Sequence, residues 1–334
     1  MSCTAGNGQS NLQMSDTSER QIMSAENEKA LMGVLEAPDV VLFVGSGLSV
    51  WAGLPNWATL IDKLILFVES KTGLTQAAAR RSFGNSDFLV AADHLLRRIT
   101  RPELSDFLAR ILGFSSARPH LVHELLARLG PSCILTTNYD RLIEEQFAKT
   151  RGEHLRVVTN RRVADFADII RSDAKNYIFK IHGSIDDSSS IVLSETHYHN
   201  VILNSYEGGS RSVFETLKII MATRPIVFLG YSVRDVDFLL ALRFLQQTFD
   251  RNAGRYWAIL PDVDQEERER LWDAYRIRSI SYETRNGKHT AFVDLLQKLA
   301  DRPHLVPVND TPATILAVGR YGNQLSRMDP GARI

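Results

Sequence analysis

The chain has 334 residues, 44% of them hydrophobic and 23% charged, which is enough for one large globular domain or two modest ones. Its formal net charge is +0 at pH 7, so it lacks the basic excess of a protein built to hold nucleic acid, and no direct nucleic-acid partner is expected. Two cysteines, Cys3 and Cys133, cannot make a disulfide framework or a four-cysteine zinc site, and they read as free thiols of a reducing cytoplasm.

Residues 1–30 are rich in Ser, Asn, Gln and Glu and are expected to be disordered. They lack the basic-then-apolar pattern of a signal peptide, and no apolar run approaches the ~18 residues that would span a bilayer, so a cytoplasmic chain without a membrane partner is expected. An apolar strand, Val40 to Val44, ends in Gly45-Ser46-Gly47. From Trp57 to about Leu129 the periodicity is helical: Leu60, Leu64 and Phe67 share one face, and Leu104, Phe107, Leu108 and Ile111 another. This stretch, about 57–130, reads as a helical insertion after the first strand. Strands follow at Cys133–Thr136, Leu155–Val158, Tyr177–Ile181, Pro225–Leu229, Tyr256–Leu260 and Ile277–Tyr282. Helices are expected at Leu142–Lys149, Val213–Ala222, Val236–Phe249, Glu266–Tyr275 and Ala291–Leu299.

Strands alternating with helices predict an α/β, Rossmann-like, mostly parallel sheet with helices on both faces, over residues 31–300. Residues 301–334 show little periodicity and read as a tail or partner-binding arm. In an open α/β sheet, ligands bind beyond the carboxyl ends of the strands, so the turns there should gather the chemistry. The first turn, Gly45-Ser46-Gly47-Leu48-Ser49, can bring backbone close to a diphosphate. It is not a dehydrogenase fingerprint, because Val50 stands where the third glycine would fall. Nor is it a Walker loop or a nucleophile elbow. His197 and His199 flank Tyr198, but no carboxylate or thiol is spaced to complete a metal site with them, and no metal is expected.

The longer stretch from Gly45 through Gly53-Leu54-Pro55-Asn56-Trp57 resembles the first signature of sirtuins and of the bacterial SIR2-like family. Thr137-Asn138-Tyr139-Asp140 is similar to their asparagine–aspartate motif. Lys180-Ile181-His182-Gly183 is similar to their histidine–glycine motif, and Phe228-Leu229-Gly230-Tyr231-Ser232 to the late strand and turn lining the nucleotide. The pieces occur in order over roughly residues 38–260. Three features depart from the protein-deacylating members. The two cysteine pairs of their zinc module are absent, the first motif ends in Asn56-Trp57 where sirtuins usually have Asp, Phe and Arg, and Tyr139 replaces an aliphatic residue. These changes resemble the branch found in bacterial antiphage defence, whose members consume NAD.

The resemblance implies NAD as substrate, hydrolysed to ADP-ribose and nicotinamide. It implies catalytic roles for Asn138, which would hold the water and ribose hydroxyls, for His182 as base, and for Asp140 as an orienting or charge-balancing group. Gly45, Ser46, Gly47 and Ser49 would hold the diphosphate. Asn56 and Trp57 would lie near the nicotinamide, and Gly230 and Ser232 near the adenosine. Read from the residues alone, Asn138 also suits a turn or cap, Asp140 a helix start, and Trp57 a core anchor. Two other functions stay open: NAD-dependent deacylation or ADP-ribosyl transfer to a protein, and NAD or ADP-ribose binding without turnover. The resemblance further implies a homo-oligomer controlled by a separate sensor, such as a HerA-type ATPase, a short Argonaute or a nucleotide-processing protein. The contact surfaces would be on the insertion or on the tail after Asp301.

Overall fold

The computed structural model describes residues 26–83, 88–112, 117–162, 165–171, 175–199, 211–233, 236–249 and 255–301. Residues 26–35 form helix α1, although the first five of them fall in the segment the sequence assigns to disorder. Leu31, Val34 and Leu35 explain the difference: they bury one face of this helix against the sheet.

Seven strands form one parallel sheet: β1 (Val41–Val44), β2 (Cys133–Thr136), β3 (Arg156–Thr159), β4 (Tyr177–Lys180), β5 (Ile226–Leu229), β6 (Tyr256–Pro261) and β7 (Ile277–Tyr282), in spatial order β3-β4-β2-β1-β5-β6-β7. The central strands β1 and β5 are apolar on both faces because both are covered, while the edge strands β3 and β7 carry exposed Arg156 and Arg278. Val41 and Phe43 of β1 point into one core with Leu135, Phe179 and Phe228. Leu42 and Val44 point into the other with Ile134, Ile178 and Val227. Cys133 lies in the first core as a free thiol that burial pushes up to about 12, so it stays protonated; Cys3 lies outside the described residues.

The insertion between β1 and β2 holds α2 (Ser46–Val50), α3 (Trp57–Thr72), α4 (Gln76–Phe83), α5 (Phe88–Leu96), α6 (Arg101–Ile111) and α7 (Leu121–Leu129). Later helices are α8 (Leu142–Arg151), α9 (Phe166–Ile170), α10 (Glu195–Tyr198), α11 (Arg211–Thr223), α12 (Val236–Thr248), α13 (Gln265–Tyr275) and α14 (Thr290–Ala300). Helices α1, α7, α8 and α14 cover one face of the sheet; α9, α11, α12 and α13 cover the other.

Helices α3, α5 and α6 build a third core of their own from Leu60, Leu64, Val68, Ala92, Leu95, Leu104 and Phe107. Tyr139 joins that core, and its hydroxyl donates to the Val192 carbonyl at 2.7 Å. This residue, which departs from the sirtuin pattern, is therefore the peg on which the insertion docks. β1 has β2 on one side and β5 on the other, so the chain leaves β1 in one direction and β5 in the opposite one. Such a switch point opens a crevice at the carboxyl edge of the sheet.

Candidate active site

The loops after β1 and β5 pack against each other at that crevice. The Gly45 amide donates to the Leu229 carbonyl at 3.0 Å and the Gly47 amide to the Gly230 carbonyl at 2.9 Å. A Cβ on Gly45 or Gly47 would lie 2.5 or 2.7 Å from the Gly230 oxygen. These glycines are thus required for the close approach of two loops, and their two amides, which the sequence assigns to a diphosphate, are engaged inside the protein.

β2 and β4 are neighbours in register, with Thr136 beside Lys180. Asn138 and His182 each follow two residues later, so they sit at matched positions above strands spaced ~4.8 Å apart. Asn138 is only 5% exposed. Its Nδ2 donates to the Gly45 carbonyl at 3.1 Å and to Ser49 Oγ at 2.9 Å. A carbonyl oxygen can only accept, which fixes the orientation of the amide. Asn138 Oδ1 is then buried with no hydrogen-bond partner among the described residues. It is an acceptor awaiting a donor, since a buried polar atom left unmatched costs stability.

The groups behind Asn138 form a directed chain. Ser49 Oγ donates to Asp140 Oδ2 at 2.7 Å, and Asp140 Oδ1 accepts the Leu142 amide at 3.1 Å where α8 begins. Lys180, fully buried, donates from Nζ to the Asp140 carbonyl and pairs with Glu144 Oε1 at 2.7 Å. Burial pushes the Glu144 carboxyl up, and the Lys180 ammonium opposes that shift.

His182 is 4% exposed, with its ring edge-on to Tyr198 at 5.8 Å between centroids. The glycine after it is dictated by geometry: Gly183 has φ of 93°, and a Cβ there would come within 2.2 Å of the Ser190 carbonyl oxygen. Asn160 Nδ2 ties the same loop down, donating to the Ile181 and Ser190 carbonyls at 2.9 and 2.8 Å.

His182 lines a cavity of ≈1050 Å³, at the upper edge of the ~300–1,000 Å³ usual for ligand sites. Of the residues the sequence nominates, Ser46, Gly47, Asn56, Trp57, His182, Gly230 and Ser232 line it. Gly45, Ser49, Asn138 and Asp140 form the buried layer behind. Asn56 also caps α3, its side chain accepting the Thr59 amide at 3.0 Å, a structural role not assigned to it from the sequence. Trp51 and Tyr231, which lie within the motifs but were given no role, and Phe88, outside them, add aromatic wall, and Gly287 to Thr290 close the far side. The Asn286-Gly287 pair was a legible turn signal for that last element. Among the described residues, His197 and His199 included, no group of three His, Cys, Asp or Glu side chains is placed to hold a metal.

Residues 132–280 match the model of the SIR2-like domain, a span that includes Asn138, Asp140, His182, Gly230 and Ser232. Defense-associated sirtuin 2 of Bacillus subtilis is 24% identical over 235 residues, covering 70% of this chain and 22% of that protein. NAD(+) hydrolase ThsA of Cytobacillus dafuensis is 25% identical over 248 residues, covering 73% of this chain and 45% of that protein. The protein of the same name from Enterococcus faecium is 26% identical over 243 residues, covering 71% and 46%. The chain thus spans less than half the length of the curated relatives it matches. A crystal structure of a Sir2 homolog–NAD complex aligns over 81% of this chain and 93% of its own, with 12% identity and a TM-score of 0.39.

Proposed function

We propose that this chain, whose residues 132–280 match the model of the SIR2-like domain, is an NAD hydrolase, the NAD-depleting effector of a bacterial antiphage defence system. The observation that carries this reading is a buried acceptor without a partner among the described residues, Asn138 Oδ1, whose amide is held by Gly45 and Ser49 on the strand beside that of a cavity-lining imidazole, His182. The bond between C1′ of the ribose and the nicotinamide nitrogen breaks, and its electron pair leaves on nicotinamide as a neutral pyridine. The ribose develops oxocarbenium character, as in glycoside cleavage. A water oxygen then bonds to C1′.

Asn138 Oδ1 accepts one O–H of that water and so aims its lone pair. The amide cannot also donate, because both of its hydrogens point at Gly45 and Ser49. His182 takes the proton the water loses, as an imidazole can near neutral pH. Asp140 acts as a positioning residue, since its two oxygens hold Ser49 and the start of α8. Trp57, Trp51 and Phe88 supply apolar wall suited to the pyridine ring and exclude bulk water.

The test is release of nicotinamide and ADP-ribose from NAD by the purified chain, alone and with the products of neighbouring genes, because a sensor partner and a homo-oligomer are part of this proposal. Asn138→Ala and His182→Ala are each expected to abolish release with an unchanged circular dichroism spectrum. Wild-type turnover in either variant removes that residue from the mechanism.

A further inference from the structure

The diphosphate of a dinucleotide carries formal negative charge that the cavity must meet. The glycine turn after β1 is poorly equipped for this, because the Gly45 and Gly47 amides already serve the Leu229 and Gly230 carbonyls. Among the described residues that line the cavity there is no carboxylate, and the lysine is Lys288, followed by His289.

Both are presented by a built element. After β7 the chain reverses through Asn286-Gly287, with φ of 52° and 70°, the two positive values of a type I′ turn. Arg285 and Lys288 exchange backbone hydrogen bonds across it at 3.1 and 2.9 Å. Each foot of the hairpin is anchored. The Thr284 amide and hydroxyl donate to the Asp262 carboxylate at 2.8 and 2.5 Å, and the Tyr282 hydroxyl lies 2.9 Å from His289 Nδ1. Asp262 is thereby engaged by Thr284, Glu283 on the same hairpin is exposed, and neither pairs with Lys288, which forms no ion pair among the described residues. An unpaired ammonium on a rigid turn, facing a partly apolar cavity, attracts an anion more strongly than the same group on open surface.

We infer that the 285–288 hairpin is a phosphate-binding wall of the nucleotide site, in which Lys288 meets the diphosphate and His289 donates beside it. This assignment rests on the nucleotide reading of the cavity. It adds a binding residue from the far edge of the sheet, outside the four motifs and outside residues 132–280. Lysine serves phosphate as a compact point charge, so charge should matter more than shape.

The full-length chain and its Lys288→Ala, Lys288→Glu and Lys288→Arg variants would be titrated calorimetrically with ADP-ribose and with nicotinamide riboside, which has no phosphate. Lys288→Ala should weaken ADP-ribose about tenfold, Lys288→Glu further, and Lys288→Arg should retain most of the affinity. The tenfold difference should shrink as salt rises from low to physiological levels. Affinity for nicotinamide riboside should not change. Unchanged ADP-ribose affinity in Lys288→Glu, equal loss for both ligands, or no ADP-ribose binding by wild type would each overturn the inference. Nicotinamide release from NAD, followed in parallel, reports separately on hydrolysis. Lys288-dependent ADP-ribose binding without release would leave the wall standing and remove the hydrolase reading.

Discussion

Lys180 is an expensive residue to place in a core, and its surroundings explain why it is there. An ammonium with no exposed surface survives because Glu144 Oε1 and the Asp140 carbonyl receive it, beneath the segment that carries Asn138. Replacing it by methionine leaves Glu144 buried without its counter-ion and Asp140 without a backbone tether. Lys180→Met is expected to lower unfolding stability by about 3–5 kcal/mol, and the double change Lys180→Met with Glu144→Leu to recover most of that, because the dominant cost is the orphaned charge. Urea titrations of the two variants measure both numbers; a double variant as unstable as the single one would show that the Asp140 tether matters more than the charge pair. The same network shows what the sequence could and could not reveal about single residues. Asn138 and His182 stand out through the resemblance of their segments to the sirtuin motifs, at strand ends where such sheets hold chemistry; read alone, each also suits a turn. That Ser49 serves Asn138 and Asp140 was not legible, because that bond joins residues 91 positions apart.

The elements themselves were largely legible. The seven strands lie within a residue or so of their apolar runs, and the helical stretch from Trp57 to Leu129 does resolve into helices. What the pattern misses are short elements stabilised only by tertiary contacts. Examples are α2 inside the glycine turn, α9, and α10, whose Tyr198 backs His182. One of those contacts titrates. Burial raises Asp93, but hydrogen bonds from Thr196, Arg97 and Ser194 outweigh it and hold the carboxyl at about 2. Asp93 lies on α5 and Thr196 on α10, so this carboxylate pins the insertion to the segment behind the imidazole. Its folded pKa is below the unfolded value of ~3.9. The stabilisation is therefore complete above about pH 4 and lost as pH falls through about 2. Its size, after solvent screening, is about 1–2 kcal/mol. Asp93→Asn should remove that contribution at neutral pH and flatten stability between about pH 4 and 2, measured by chemical denaturation across the window. An identical acid dependence in wild type and variant would place the acid-sensitive group elsewhere.

At the scale of the whole molecule, the sheet order turns separate sequence segments into one container. Alternation of strands and helices was enough to predict a parallel α/β sheet, but not which strands would flank the crevice. That depends on β5 returning to the free side of β1, a choice made by packing of Phe43 on Phe228 and Val44 beside Leu229. The resulting cavity takes its walls from the insertion at Trp57 and Phe88, from the β1, β4 and β5 loops, and from the hairpin beyond β7. A nucleotide that fills it must therefore bridge parts of the chain that otherwise touch mainly through the sheet. Ligand that binds only the folded state at a hundredfold excess over its Kd stabilises by about 2.7 kcal/mol. For a domain of this size that corresponds to a rise in Tm of roughly 5 °C. ADP-ribose should produce such a rise, and hydrogen exchange should slow together at α3 and at residues 285–290. Protection confined to the β1 and β5 loops would mean that the nucleotide occupies only the crevice and that the insertion and the hairpin are not walls of the same site.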